Sequence, residues 1–304
     1  MRPVILPILL SGLTLLSQAP PPPPPPPAPP APPAPPAPPE GRWSEASGPS
    51  RTETVNEPLA FGSKLWVRNR NGAVRVTGWD KETVNLVAQI RDSSKRPVSL
   101  RVQRKGADLD IEAEYQQPTW SFGFSVSPRC DMTLQVPRRL LAHFRSQNGQ
   151  ISVRNLEGYA RVETTNGLVT LEDISGEVQV DTSNGGIELR RLKARAKANT
   201  SNGRITLEQV EGGIQAETSN GGIVAKQLDG WNEGIHLETS NGRIELELGK
   251  ATGELFAETT HGRINAEVKG ATVVESDKHS LHLRIPGRTQ KISLETSNGS
   301  ITIR

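Results

Sequence analysis

The chain has 304 residues, of which only 4 % are aromatic, while glycine numbers 28 and proline 25. So few bulky side chains cannot fill the deep core that a compact chain of this length requires, which leaves a thin, elongated one. Lys and Arg total 36 against 33 Asp and Glu, a net charge of +3 with the signs interspersed, and this excludes the one-sided basic face of a nucleic-acid binder.

Residues 1–19 begin Met1-Arg2, continue with an apolar run from Val4 to Leu16 and close on Ser17-Gln18-Ala19. A positive start, a short apolar run and small residues predict a secretory signal peptide. The run is short for a membrane span, which needs about 20 apolar residues. Pro20 sits where a signal peptidase tolerates it badly, so the segment is expected either to be removed or to stay as an N-terminal anchor. That segment is the only expected membrane contact. Residues 20–39 are almost entirely proline and alanine and predict an extended polyproline II stretch on the order of 60 Å long, within a proline-rich, disordered stalk over 20–50.

Residues 51–135 predict an N-terminal β region that caps the repeats of the C-terminal half. Leu65–Val76 contains Asn71-Gly72 within alternating apolar positions, and Val84–Ile90, Val98–Val102 and Leu109–Ala113 alternate likewise. Gln116–Pro128 carries Trp120, Phe122 and Phe124 and reads as a loop or cap. The one cysteine, Cys130, has no partner for an intrachain disulfide and no nearby Cys or His for a metal site; a half-buried strand position is expected.

Residues 136–304 are repetitive. Asp181-Thr182-Ser183-Asn184-Gly185-Gly186-Ile187 returns around Asn202, Asn220, Asn241 and Asn298, with looser copies around Asn148, Asn166 and His261. A worn copy is read at Glu275–Leu283, where Lys278 and His279 stand for Asn-Gly. The turn position therefore falls at 148, 166, 184, 202, 220, 241, 261, 278 and 298, a spacing of 18, 18, 18, 18, 21, 20, 17 and 20 residues. Such a period marks stacked supersecondary units. Within each unit the apolar residues alternate (Val178, Val180, Thr182, then Ile187, Leu189), which is the pattern of a half-buried strand. Asn-Gly is expected at the turn because both residues tolerate positive φ.

An antiparallel meander and a parallel β-solenoid both fit this local pattern. Identity of the repeats favours the solenoid, since stacking equivalent coils places Ile on Ile and Asn on Asn. The fold class expected is therefore all-β, a parallel β-solenoid of roughly 18-residue coils with an N-terminal β cap. Asn148, Asn166, Asn184, Asn202, Asn220, Asn241 and Asn298 should form a hydrogen-bonded ladder along one edge. The chain ends within a strand at Thr302-Ile303-Arg304, so the last coil is expected to be uncapped and open to self-association.

The Asn71-Gly72-Ala73-Val74 block, the entry Leu134-Gln135-Val136-Pro137 and the Thr-Ser-Asn-Gly-x-Ile-x-Leu copies resemble the bacterial putative-adhesin family over about 55–304. That resemblance implies a right-handed β-helix or related β-roll in a cell-envelope setting, and it supplies no catalytic residue.

The residues able to do chemistry point the same way. Glu163, Asp181, Glu217, Glu238, Glu258, Glu275 and Glu295 each precede the turn Thr or Ser. Stacked at about 4.8 Å they would repel, so a solvated face compensated by Arg204, Arg243 and Arg263 is expected, with no metal or cofactor. His143, His236, His261, His279 and His282 show no metal-binding spacing. Asp277, His279 and His282 in the worn copy form the one chemically distinctive spot and are the candidate binding residues. The function expected is an exported, non-catalytic structural or binding module of the cell envelope, in the periplasm or at the cell surface. Its expected partner is a cell-surface glycan or an envelope protein. The alternative is a carbohydrate-active β-helix enzyme, a polysaccharide lyase or hydrolase.

Overall fold

The computed structural model describes residues 50–92, 97–116, 127–230 and 233–304. The leader at 1–19, the proline-rich stretch up to residue 49 and the aromatic-rich segment at 117–126 lie outside the described residues. Every element among the described residues is a β-strand. They form a parallel β-solenoid whose two ends are closed by antiparallel strands.

At the N-terminal end the strands are β1 (Ser50–Pro58), β2 (Lys64–Arg68), β3 (Val74–Trp79), β4 (Thr83–Arg91), β5 (Val98–Lys105), β6 (Asp108–Tyr115) and β7 (Arg129–Pro137). The β2–β3 pair makes one coil through its Asn71-Gly72 turn. The β6–β7 pair makes the next coil outward, with β6 parallel to β2 and β7 parallel to β3. Antiparallel strands then cover that outer coil: β4 on β7, β1 on β4 and β5 on β6. Cys130, in β7, is fully buried and not half-buried as expected, and burial pushes its thiol up to about 12.

The chain then steps back over its first coil. Strand β8 (Arg139–Arg145) pairs with β2, and the start of β9 (Ile151–Thr164) pairs with β3. From there β9, β10 (Val169–Thr182) and β11 (Ile187–Thr200) each round a corner and supply both walls of the solenoid. The next coils divide the same path between two strands, β12 (Ile205–Glu211) with β13 (Ile214–Thr218) and β14 (Ile223–Lys226) with β15 (Ile235–Thr239), and β16 (Ile244–Glu247) opens the coil after them. Pairing is parallel and in the register of the repeat, so Ile151, Val169, Ile187, Ile205, Ile223 and Ile244 stack in one column. All six are wholly buried, each worth about 2 kcal/mol relative to exposure. The facing wall is lined by smaller residues, among them Ala160, Ala196, Ala198 and Ala216, which is why so few large side chains suffice.

The turn motif has a different physical basis from the one expected. Neither Asn184 nor Gly185, nor their counterparts in the other stacked coils from Asn148 onward, adopts positive φ. Glycine is required because the turns nest: a Cβ at Gly203 would stand 1.8 Å from the carbonyl oxygen of Gly185 one coil below, and the same holds at Gly167, Gly185, Gly221 and Gly242. The buried Thr two residues before Asn serves both neighbours. Thr200 Oγ1 accepts from the N–H of Gly203 at 3.1 Å and donates to the carbonyl of Gly185 at 3.0 Å. Asn side chains complete the edge: Asn166, Asn184, Asn202, Asn220, Asn241 and Asn298 each donate through Nδ2 to the Oδ1 of the Asn below at 2.7–2.8 Å, starting from Asn148.

The remaining strands are β17 (Gly253–Thr259), β18 (Ile264–Ala266), β19 (Thr272–Ser276), β20 (Ser280–Ile285), β21 (Lys291–Thr296) and β22 (Ile301–Ile303). Two expectations fail here. The Glu275–Leu283 copy is no coil: β19 and β20 form an antiparallel hairpin, and β20 lies antiparallel on β17. It caps the stack. The last coil in sequence is not the open end either. Strand β21 lies between β15 and β17, and β22 between β16 and β18, parallel on both sides. The motif contacts agree, with Asn298 bonded to Asn241 across 57 positions and Thr259 Oγ1 donating to the carbonyl of Gly299 at 3.0 Å. With partners on both sides, β21 and β22 offer no free edge for another chain.

Candidate functional site

Each full coil has the Asn-Gly turn edge and, opposite it, a second corner. At that corner Asn155, Asp173, Arg191, Gln209 and Gln227 take left-handed backbone with φ of 51–57°. This conformation strains a residue with a side chain by roughly 1–2 kcal/mol. It is repeated on five successive coils because it turns the strand sharply enough to bury Leu156, Ile174, Leu192, Val210 and Leu228 one residue later.

The strained corner residues and their neighbours line a groove of about 900 Å³ running along the stack from Arg138 to Lys250. Seven successive corner levels contribute to it, a span of about 29 Å. Buried leucines floor it, and its rim is polar and of mixed charge. Arg191 Nε lies 2.8 Å from Asp173 Oδ1 and its guanidinium also reaches Glu172, while Gln209 Nε2 donates to Gln227 Oε1 at 3.0 Å. The guanidinium holds the Asp173 carboxyl below the usual range. Lys193 and Lys250 line the same groove and form no ion pair among the described residues.

A second, shallower groove of about 560 Å³ crosses the wall that carries Glu177, Lys197, His236 and Glu295. The acidic column on this wall differs from the expected one. Register runs Glu163, Asp181, Asn199, Glu217, Glu238, Glu295, Glu258, so Asn199 interrupts it and Glu295 precedes Glu258. Glu275 is absent from it, lying in the hairpin. Compensation by Arg204, Arg243 and Arg263 is not found: Arg243 pairs with Glu245 at 3.1 Å, and the other two make no ion pair among the described residues.

Stacked coils with nested Asn-Gly turns are matched by a known family. The family model described as Toastrack DUF4097 matches residues 63–304. The chain belongs to the Toastrack family. No curated protein matches it. Among solved structures it is similar to a putative adhesin from Parabacteroides distasonis ATCC 8503, with 14 % identity, 84 % of this chain and 98 % of that chain covered, and a TM-score of 0.48. A putative adhesin from Bacteroides fragilis NCTC 9343 gives 14 % identity, 84 % and 97 % coverage and a TM-score of 0.47. A putative lipid binding protein from the same Parabacteroides strain gives 13 %, 83 % and 96 %, and 0.47.

In this Toastrack chain the candidate residues of the worn copy are placed at the capping hairpin but do not converge. Asp277 is exposed in the hairpin turn, where its Oδ1 accepts from the N–H of Lys278 at 2.6 Å. The carbonyl of His279 accepts from the N–H of Thr259. His282 points elsewhere, stacked on Phe256 with ring centroids 4.3 Å apart and with Nε2 2.5 Å from Glu254 Oε2. Arg284 Nε holds the other oxygen of Glu254 at 2.7 Å, and Arg284 first, then His282, lower the Glu254 pKa. This cluster fastens the hairpin to β17. Sequence reasoning missed the left-handed corners. Asn155 and Asp173 are residue types prone to that backbone, but Arg191, Gln209 and Gln227 are not, and only the 18-residue spacing links them.

Proposed function

We propose that this Toastrack solenoid is an exported, non-catalytic binding module of the cell envelope that takes an extended polar polymer, a glycan or an envelope protein segment, along its corner groove. The observation that carries this reading is the groove itself. It lies within the size range of ligand sites, but it is long and rimmed by side chains recurring at the coil spacing, which suits a chain-like partner. The leader at 1–19 and the proline-rich 20–50 support export and a stalk. Repeated, evenly spaced polar contacts give avidity through length with no reacting group at the centre.

Cell fractionation followed by protease shaving tests the place. The protein should be recovered with the envelope of source cells, and loss on shaving intact cells would put it on the outer surface. Survival until the envelope is opened would put it in the periplasm. Recovery with the cytoplasmic fraction would overturn the proposal.

A further inference from the structure

The wall opposite the one that begins each coil carries an unbroken row of four carboxylates on adjacent strands, which Glu258 on β17 closes at its far end. Glu217 on β13, Glu238 on β15 and Glu295 on β21 share one register position. At the other end of this column the acids are offset: Glu163 lies 2.6 Å from Arg161, and Asp181 lies 3.8 Å from Arg161 and accepts from Asn199. Glu217, Glu238 and Glu295 have no Lys or Arg ion pair among the described residues; what stands among them is an imidazole. His236 precedes Glu238 by two positions, so both project from the same face of β15.

The ring is oriented in a particular way. His236 Nε2 lies 3.3 Å from Glu238 Oε2, and one donor atom from each of Glu217, His236 and Glu238 lies within 4.8 Å of the others. The other ring nitrogen, Nδ1, faces Glu295 Oε1 at 3.9 Å. At that distance Glu295 is a counter-charge behind the ring and not a hydrogen-bond partner of Nδ1; it stands on the side opposite the donors that Nε2 faces, where metal sites carry an outer carboxylate. The outer carboxylates are themselves held: Gln215 Nε2 donates to Glu217 Oε1 at 2.5 Å, and Ser293 Oγ to Glu295 Oε1 at 2.8 Å.

From this we infer a divalent transition-metal site, with zinc as its best representative, ligated by Glu217, Glu238 and His236 Nε2 and supported by Glu295 behind the ring. One nitrogen and two carboxylate donors suit a four-coordinate ion with one open position. The imidazole selects against calcium and magnesium, which take oxygen ligands. Water completes the shell from the pocket of about 260 Å³ that Glu217 and Glu238 line. A bound ion would cross-link β13 to β15 and neutralise charge that the stack otherwise leaves opposed. The inference is independent of the corner groove.

Isothermal titration of the full chain, stripped with EDTA, with zinc chloride tests it. One equivalent should bind, with calcium and magnesium in excess failing to compete. His236→Gln should lose at least about 100-fold in affinity, and Glu295→Gln about 10-fold or more. Both substitutions are at partly exposed positions, and unchanged melting temperatures in metal-free buffer would show that the variants fold. Absence of zinc binding in the wild type would overturn the inference, as would wild-type affinity in His236→Gln, which would place the ion on another histidine. Calcium binding as tight as zinc would overturn the role given to the imidazole.

Discussion

At the scale of single residues, the Thr-Ser-Asn-Gly motif divides its work unequally. The Asn rungs are exposed, and an interior rung such as Asn202 donates one side-chain hydrogen bond and accepts another, both at the solvent-facing edge. Replacing Asn202 by Ala should therefore cost on the order of 1 kcal/mol. Gly203→Ala should cost more, about 3 kcal/mol or above, because a Cβ 1.8 Å from the Gly185 carbonyl forces two coils apart. Urea unfolding of the two variants beside the wild type measures both. Equal costs would mean that the nesting of turns is not what demands glycine.

At the scale of elements, both ends of the solenoid use the same device. The chain lays one coil, leaves it to form a further coil and antiparallel cover, and then returns to continue from the inner one or to fill the gap. In the C-terminal case β21–β22 fills that gap. Removing residues 286–304 should then do more than shorten the stack, since β15 and β17 pair with β21 and not with each other. Hydrogen exchange should show protection lost over 253–285 as well as weakened over 235–247. Retained protection at 253–259 would contradict this coil order.

The hairpin cap should also answer to pH. The Glu254 carboxyl is held below its ordinary value of 4.5 by Arg284 and His282. A depressed folded-state pKa gives stability that is present above the ordinary value and is lost as pH falls below it. Glu254→Gln should therefore lower the urea midpoint near neutrality, and its difference from wild type should shrink as pH drops below 4.5. A difference that is constant with pH would mean that the contact is held by shape and not by charge.

The coil was legible from the sequence because its period is carried by residues whose chemistry depends on stacking: Ile on Ile, Asn on Asn, buried Thr beneath Gly. The order of coils was not, because near-identical repeats carry no address. Ile292 and Leu294 fit above Ile235 and Leu237 as well as Leu255 and Ala257 would. The meeting of His236 with Glu295 was hidden for the same reason, since only the inserted coil brings them together. The left-handed corners escaped because tertiary packing of the next aliphatic residue, and not the preference of Arg191 or Gln209, imposes the backbone there.

At the scale of the whole solenoid, side chains repeat at the interval of the coils, and a groove that spans seven corner levels results from that regularity. Such a surface recognises length and spacing more than a single small group. Its charge is mixed, and Lys193 and Lys250 are the rim cations that form no ion pair among the described residues, free to offer their charge to an anionic partner.

The most direct test of envelope binding is co-sedimentation of the purified full chain with envelopes isolated from source cells, wild type beside the double variant Lys193→Glu, Lys250→Glu. The wild type should pellet with the envelopes, and the variant, folded by its unchanged melting temperature, should stay largely in the supernatant. Wild-type protein that fails to pellet, or a variant that pellets equally well, would contradict binding through the corner groove.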